Sequence, residues 1–118
     1  MKKFLITFLI TVNVYSQSSN VFKPIDVFDL EYVSNTEISP NGDKILYQRN
    51  YNDIMTDESF SNIWVINFDG SENRPITTGN FKDNSPKWSN KGDKFVFKSN
   101  REGKSQIFLF DLKNNSIQ

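Results

Sequence analysis

The sequence contains two copies of one pattern, and this internal repeat constrains the fold more than any other feature. Residues 38–50 (ISPNGDKILYQRN) align without a gap with residues 88–100 (WSNKGDKFVFKSN), at an offset of 50 positions. Residues 61–69 (SNIWVINFD) align with residues 105–113 (SQIFLFDLK) at an offset of 44. The first copy therefore carries six additional residues, within residues 51–60. A unit of about 44 residues has the length of a four-stranded β-propeller blade.

Each copy is a series of short apolar segments separated by turn residues. The first turn of each copy holds a glycine, Gly42 or Gly92, which tolerates a positive φ. The chain has 11 Phe and no Ala, a composition that favours strands over helices. The predicted strands are residues 35–39, 44–49, 62–68 and 74–78 in the first copy, and residues 85–89, 94–99, 106–112 and 117–118 in the second. We therefore predict an all-β fold, the start of a β-propeller with about two four-stranded blades.

The repeat and its flanks divide the chain into four parts. We predict a signal peptide at residues 1–16, a lead-in segment at 17–33, a first blade at 34–83 and a truncated second blade at 84–118. Repeat folds generally need about three units, so we expect this chain to be the front of a longer polypeptide. The alternative is a small two-sheet domain that is complete at residue 118, with exposed sheet edges. The lead-in is either a short helix that begins at Pro24 or an extended arm.

The first residues have the order of a secretory signal. Lys2 and Lys3 form a positive start, and residues 4–14 (FLITFLITVNV) are largely apolar. Roughly 20 apolar residues are needed to span a membrane, so this stretch is too short for a transmembrane helix. A small residue, Ser16, stands before Gln17, where we predict cleavage. The alternative is a buried strand or helix of a cytosolic domain. Cleavage predicts a periplasmic or secreted protein with no membrane anchor.

Composition excludes several kinds of chemistry. The sequence has no Cys and no His, which removes thiolate metal sites, disulfides and any Ser-His-Asp triad built from this chain alone. Lys+Arg and Asp+Glu are 14 each, so no net positive charge favours nucleic acid as a partner. We assign no catalytic, cofactor-binding or metal-binding residue and expect no cofactor.

The lead-in and the repeats resemble one family. Residues 24–50 (PIDVFDLEYVSNTEISPNGDKILYQRN) resemble the start of exported bacterial serine peptidases of the prolyl oligopeptidase family, of the acylaminoacyl-peptidase and dipeptidyl-peptidase kind. Residues 86–112 (PKWSNKGDKFVFKSNREGKSQIFLFDL) resemble the TolB-type propeller repeat found in the same peptidases. Asn41 departs from the usual Asp of the first turn, and Asn90-Lys91 replaces Pro-Asp in the second.

The resemblance implies a non-catalytic role for this segment. In that family a propeller precedes an α/β-hydrolase domain that carries the Ser, Asp and His, and it restricts peptide access to the active site. The implied partners are thus a hydrolase domain of the same polypeptide and peptide substrates. The alternatives are a TolB-like periplasmic module that binds proteins and a short exported β protein that binds glycan or a surface polymer.

Some residue types suggest a site but have simpler explanations. Trp64 and Trp88 could stack on a ligand, but their positions favour packing between blades. Arg101 either pairs with a carboxylate of the neighbouring blade or lies exposed in a loop. The spacing of the acidic residues indicates solvated loops or turns rather than a calcium site; these residues are Asp43, Asp53, Asp57, Glu58, Asp69 and Asp93.

Overall fold

The computed structural model describes residues 21–118, and the predicted signal peptide lies outside this range. In the described residues a 3-10 helix precedes eight strands. The strands form two antiparallel sheets of four, in the order β1-β2-β3-β4 and β5-β6-β7-β8. The prediction of an all-β fold with two four-stranded blades is confirmed. The element bounds are Pro24–Asp29 for the helix, then β1 (Tyr32–Ile38), β2 (Lys44–Asp53), β3 (Glu58–Asn67), β4 (Arg74–Pro75), β5 (Asn84–Trp88), β6 (Lys94–Ser99), β7 (Gln106–Asp111) and β8 (Ser116–Ile117).

The residues that are identical in the two copies form the same turn twice. Ser39 Oγ donates to Asp43 Oδ1 at 2.9 Å, and the backbone N–H of Lys44 donates to Ser39 Oγ at 2.9 Å. In the second sheet Ser89 Oγ donates to Asp93 Oδ1 at 2.9 Å. The glycine within each turn has a positive φ, 74° at Gly42 and 70° at Gly92. The sequence identities are therefore the residues that close the β1–β2 and β5–β6 turns. In the second turn, as in the first, the lysine N–H donates to the serine hydroxyl, here from Lys94 to Ser89 Oγ at 3.4 Å.

The first strand of each sheet also carries the same irregularity. The pairing of β1 with β2 shifts register between Ser34 and Glu37, and that of β5 with β6 shifts between Asn84 and Lys87. A residue with positive φ lies in each bulge, at 48° in Asn35 and 54° in Ser85. These two residues are 50 positions apart, so the repeat extends to backbone distortions that the sequence pattern did not reveal.

Two strand predictions need correction. The six additional residues of the first copy fall between the predicted strands 44–49 and 62–68, but β2 runs on to Asp53, and β3 begins at Glu58 after a short turn. They extend the hairpin instead. The fourth strand is shorter than predicted and ends at Pro75, because the next two backbone N–H groups, of Ile76 and Thr77, both donate to the carbonyl oxygen of Ile63.

The core lies between the two sheets. The sheets approach each other through β5, which lies near β1, β2 and β3. Burial of each large apolar side chain contributes roughly 1.5–3 kcal/mol, so this layer is the main source of cohesion between the sheets. The buried residues of the layer are Leu46, Ile63 and Val65 from the first sheet, and Phe95, Phe97, Phe108 and Phe110 from the second.

The lead-in is helical and lies against the first sheet. Pro24 is at the start of the helix, as predicted for that alternative, and Asp26 accepts a hydrogen bond from the N–H of Lys23 at 2.7 Å. The side chain of Asn52, in β2, donates to the carbonyl oxygen of Val27 at 3.1 Å. None of the helical residues is buried, and Phe28 is half-buried, so the helix lies on the surface of the sheet. No helix formed by residues 21–118 has the length and apolar character needed to cross a membrane.

Candidate functional site

The strongest polar contact near the seam between the sheets is a buried ion pair. Nη2 of Arg101 donates to both carboxylate oxygens of Asp83, at 3.0 and 2.9 Å. Asp83 is 0% exposed, and the side chain of Arg101 is 16% exposed. The guanidinium carbon lies 5.1–5.4 Å from the ring centres of Phe81, Phe97 and Phe108. A buried carboxylate is stable only with such a partner, because desolvation of an unpaired charge costs several kcal/mol.

Asp83 is held against the first sheet by its backbone. Its N–H donates to the carbonyl oxygen of Ser61, in β3, at 3.0 Å, and Ser61 Oγ donates to the carbonyl oxygen of Asp83 at 2.7 Å. The N–H of Ser61 donates to the carbonyl oxygen of Phe81 at 2.9 Å. Arg101 therefore pairs with a carboxylate and does not lie in an exposed loop. Asp83 directly precedes β5 in the chain, and its backbone is hydrogen-bonded to β3 of the first sheet.

Trp88 packs between the sheets, as predicted. Its indole Nε1 donates to the carbonyl oxygen of Glu37, in β1, at 3.1 Å. Its ring meets Phe95 edge-on, with the centroids 5.9 Å apart. The carboxylate of Glu37 also forms an ion pair with Lys87. The inner strands β1 and β5 are thus joined by one indole hydrogen bond and one exposed ion pair.

Trp64 does not pack between the two described sheets, so its predicted packing between blades stays a prediction. It lies on the face of the first sheet that points away from the second, because its neighbours Ile63 and Val65 occupy the inner face. Tyr47 stacks beside it with the ring centres 6.3 Å apart. The guanidinium carbon of Arg49 lies 4.7 Å from the centre of a Trp64 ring. Both faces of β3 are apolar, and alternation alone could not tell which face is covered.

A polar cleft opens beside the seam where β1 begins. The Asn35 amide donates to Gln48 Oε1 at 2.6 Å, and the Gln48 amide donates to Asn50 Oδ1 at 2.6 Å. The Asn50 amide donates to the carbonyl oxygen of Tyr32 at 3.1 Å and to Ser34 Oγ at 2.9 Å. The cleft has a volume of about 370 Å³. Its amide groups bond to one another and to β1, an arrangement that fixes the bulge of β1 rather than preparing a reaction.

Sequence reasoning missed this amide chain, although one signal for it was present. Asn50 and its repeat equivalent Asn100 are identical, and both bond to the segment that starts their unit. Asn50 donates to the carbonyl oxygen of Tyr32, whereas Asn100 Oδ1 accepts from the N–H of Lys82 at 2.8 Å. Tyr32 and Lys82 are themselves 50 positions apart. The repeated asparagine, within β2 or directly after β6, therefore bonds to the chain where the first strand of its sheet begins.

Most of the acidic residues that suggested a site serve turns. Asp53 Oδ1 accepts from the N–H of Met55 at 2.7 Å. The hydroxyl of Ser71 donates to Asp69 and lowers the pKa of that carboxyl, and Ser39 lowers the pKa of Asp43 in the same way. Across residues 21–118 the structure brings together no group of three or more side chains that could hold a metal ion.

Two four-stranded antiparallel sheets that share an apolar layer define the chain as a propeller-like segment. The sequence of the chain is 30% identical over 78 residues to dipeptidyl-peptidase 5 of Porphyromonas gingivalis, an alignment of 66% of this chain and 11% of that protein. It is 23% identical over 92 residues to dipeptidyl-peptidase 5 of Porphyromonas endodontalis, covering 78% of this chain and 13% of that protein. No protein-family profile matches the chain.

A solved structure agrees on the fold. The acylaminoacyl peptidase of Pyrococcus horikoshii superposes with a TM-score of 0.65 at 19% identity, over 79% of this chain and 14% of the other. TolB from Acinetobacter baumannii gives a TM-score of 0.43 at 16% identity, over 75% of this chain and 32% of the other. The predicted resemblance to the propeller segment of a peptidase is confirmed by the curated relatives. The chain spans only 11–13% of the length of those relatives.

Proposed function

We propose that this chain is the non-catalytic, N-terminal propeller segment of an exported serine peptidase. The propeller would restrict the access of peptides to an α/β-hydrolase domain elsewhere in the same polypeptide. The observation that carries the proposal is the similarity to dipeptidyl-peptidase 5, over a stretch whose conspicuous side chains are used for packing and turns. The chain holds no histidine, so a Ser-His-Asp triad would have to be completed outside it.

The seam between the sheets supports a gating role. Asp83 links the two sheets, because its backbone bonds to Ser61 of β3 and its carboxylate pairs with Arg101, after β6. The aromatic layer also lies between the sheets, and the bond from Trp88 to Glu37 joins their inner strands. Inner strands surround the central channel of a propeller. The width of the channel would then depend on the stability of the contacts between neighbouring sheets. With stable contacts the channel would admit only short or extended peptides.

The first test asks whether a serine peptidase carries this segment. Antibodies raised against residues 21–118 would be applied to the periplasmic and secreted fractions of the source cells. We expect a band far larger than the 13.7 kDa of this chain, which a serine-reactive fluorophosphonate probe labels. Its N-terminus should lie near Gln17, as cleavage of the signal predicts. An exported band that the probe does not label would contradict the peptidase proposal and favour a binding module.

The second test addresses gating in that polypeptide. Asp83→Asn removes the charge that Arg101 needs, so the seam should loosen and admit longer peptides. We expect kcat/KM for long peptides to rise relative to that for short ones. Asp57→Asn is the matched control, because it makes the same chemical change in an exposed turn. An unchanged ratio of long to short peptides in a folded Asp83→Asn enzyme would contradict gating.

A further inference from the structure

The β1–β2 turn contains the one Asn-Gly pair of the sequence, Asn41-Gly42. The side chain of an asparagine can react with the backbone nitrogen of the next residue, and hyperthermophilic proteins contain less of this thermolabile residue. The reaction is least hindered before glycine, because no Cβ stands beside the nitrogen. Asn41 and Gly42 are both exposed, and a Cβ added to Gly42 would meet nothing within 4 Å. The pair is therefore open to water and free of steric hindrance.

The reaction uses only this turn and water. The backbone nitrogen of Gly42 attacks Cγ of Asn41, so that a new C–N bond forms and the bond from Cγ to Nδ2 breaks. Nδ2 leaves as ammonia and takes up the proton that the Gly42 nitrogen loses. Water then opens the cyclic imide at either of its two carbonyl carbons, which gives aspartate or isoaspartate at position 41. No electrons are transferred, so neither an oxidant nor a reductant is needed.

The folded turn holds the attacking nitrogen in a hydrogen bond. The N–H of Gly42 donates to the carbonyl oxygen of Ser39 at 2.8 Å, and the N–H of Ser39 donates to the carbonyl oxygen of Lys44 at 2.8 Å. The Ser39 hydroxyl is fixed as well, because it accepts from the N–H of Lys44 and donates to Asp43. The Gly42 nitrogen has to leave its bond to Ser39 before it can lose its proton and turn towards Cγ. Local opening of the turn therefore limits the rate in the folded chain.

We infer that Asn41 is a site of spontaneous deamidation and that the closed β1–β2 turn restrains the reaction. The second copy of the turn lacks the reactive pair, because Lys91 stands at the position of Asn41. Its backbone is otherwise the same, since the N–H of Gly92 donates to the carbonyl oxygen of Ser89 at 3.0 Å and the φ of Gly92 is 70°. The chain thus contains a reactive and an unreactive version of one turn.

The modification would alter the contact between the two turns. Gly92 lies against the first turn, because a Cβ added to it would be 3.3 Å from Pro40 Cδ and 3.7 Å from Asn41 Oδ1. Isoaspartate at position 41 would lengthen the backbone by one carbon between Pro40 and Gly42. The Gly42 N–H would then no longer be aligned with the carbonyl oxygen of Ser39, and the surface that Gly92 contacts would change.

Aspartate, the other product, would disturb the charge balance of the turn. Hydrogen bonds from Ser39 and Lys44 lower the pKa of Asp43, and the Asn41 side chain contributes less to this effect. Deamidation would replace the Asn41 amide by a second carboxylate near Asp43, and like charges repel. In the second copy this position holds a lysine, Lys91. The deamidated chain should therefore be less stable than the unmodified chain.

Peptide mapping by mass spectrometry, with isoaspartate counted by a carboxyl methyltransferase, tests the site. The full chain is incubated in mildly alkaline buffer, with and without urea at a concentration that unfolds it. In urea we expect Asn41 to react before every other asparagine and at least about tenfold faster than Asn90, which precedes Lys91. Without urea the rate at Asn41 should fall by at least about fivefold, because a hydrogen bond holds the attacking nitrogen. Equal rates at Asn41 and Asn90 in urea would overturn the site, and equal rates at Asn41 with and without urea would overturn the restraint.

Substitutions in the repeated turn identify the cause. Lys91→Asn places an asparagine before Gly92 and should create a second reactive site in urea, whereas Asn41→Lys should remove the first site. Asn41→Asp reproduces one product and should lower the thermal midpoint of the chain by about 2 °C, a loss that Asn41→Lys should not cause. A Lys91→Asn variant that does not react at position 91 in urea would overturn the chemical basis of the inference. An Asn41→Asp variant as stable as the unmodified chain would overturn the predicted effect of the modification.

Discussion

The substitution Asp83→Asn tests whether the buried ion pair holds the two sheets together. Asparagine keeps the size of the side chain and one oxygen acceptor but removes the negative charge. Arg101 would then retain a charge that is only 16% exposed, with the hydroxyl of Ser99 and three aromatic rings as its remaining neighbours. Because an unpaired buried charge is strongly destabilising, the loss should exceed that of an ordinary hydrogen bond.

The expected magnitude follows from burial. Removing one partner of a buried pair costs about 3–5 kcal/mol, whereas an exposed pair contributes about 0–1 kcal/mol. The chain supplies its own exposed comparison, since Glu31 pairs with Arg49 and their side chains are 44% and 37% exposed. We therefore expect Asp83→Asn to cost at least about 3 kcal/mol and Glu31→Gln less than about 1 kcal/mol. A whole domain is stable by only about 5–15 kcal/mol, so the first loss is a large share of the total.

Urea unfolding followed by tryptophan fluorescence measures both variants. With a slope of about 1.5 kcal/mol per molar urea, a loss of about 3 kcal/mol lowers the midpoint by about 2 M. If Asp83→Asn is already unfolded in buffer, the loss of the near-ultraviolet circular dichroism of the wild type records the same outcome. Equal midpoints for Asp83→Asn and Glu31→Gln would refute the reasoning that burial gives the pair its importance.

Three further predictions concern the turns, the seam and the acidic residues. Gly42→Ala should cost about 1–2 kcal/mol because its φ is positive, and Gly92→Ala should cost more because its Cβ would lie 3.3 Å from Pro40 Cδ; thermal unfolding of the two variants checks the order. Trp88→Phe should lower stability by about 0.5–1.5 kcal/mol for the lost indole hydrogen bond, beyond the effect of its smaller ring, as measured by urea unfolding. Hydrogen bonding to the Asn114 N–H lowers the pKa of Asp111. Its contribution to the free energy of unfolding is therefore complete above the unfolded pKa of about 3.9 and is lost as the pH falls through the lower folded pKa. Unfolding measured from pH 7 to 2 should show this loss of stability, and Asp111→Asn should reduce the loss.

The fold class could be predicted from the sequence because the repeated residues act locally. Ser39, Gly42 and Asp43 close a turn through neighbouring atoms, and the same residues close it again 50 positions later. Local chemistry of this kind needs no knowledge of the tertiary structure. For that reason the number of strands, their order and the turn positions were all accessible from the residues.

The assignment of faces could not be predicted in the same way. In β3 the residues Ile63 and Val65 alternate with Trp64 and Ile66, so both faces are apolar and the period of two carries no preference. Which face meets the second sheet depends on the path of residues 76–83 across the end of the first sheet. That path is set by long-range hydrogen bonds to Ile63 and Ser61, which no local pattern indicates.

The outer face of the first sheet is best understood as a packing face because it uses the chemistry of the buried seam. In the seam the Arg101 guanidinium carbon lies 5.3 Å from the ring centre of Phe108, and on the outer face that of Arg49 lies 4.7 Å from Trp64. Phe108 and Trp64 are repeat equivalents, but the two arginines are not, since the equivalent of Arg49 is Ser99. Each arginine also pairs with a carboxylate that directly precedes the first strand of its sheet. The two units have therefore kept the contact while changing the residue that makes it, so equivalent surfaces in this repeat are recognised by their chemistry and not by aligned identity.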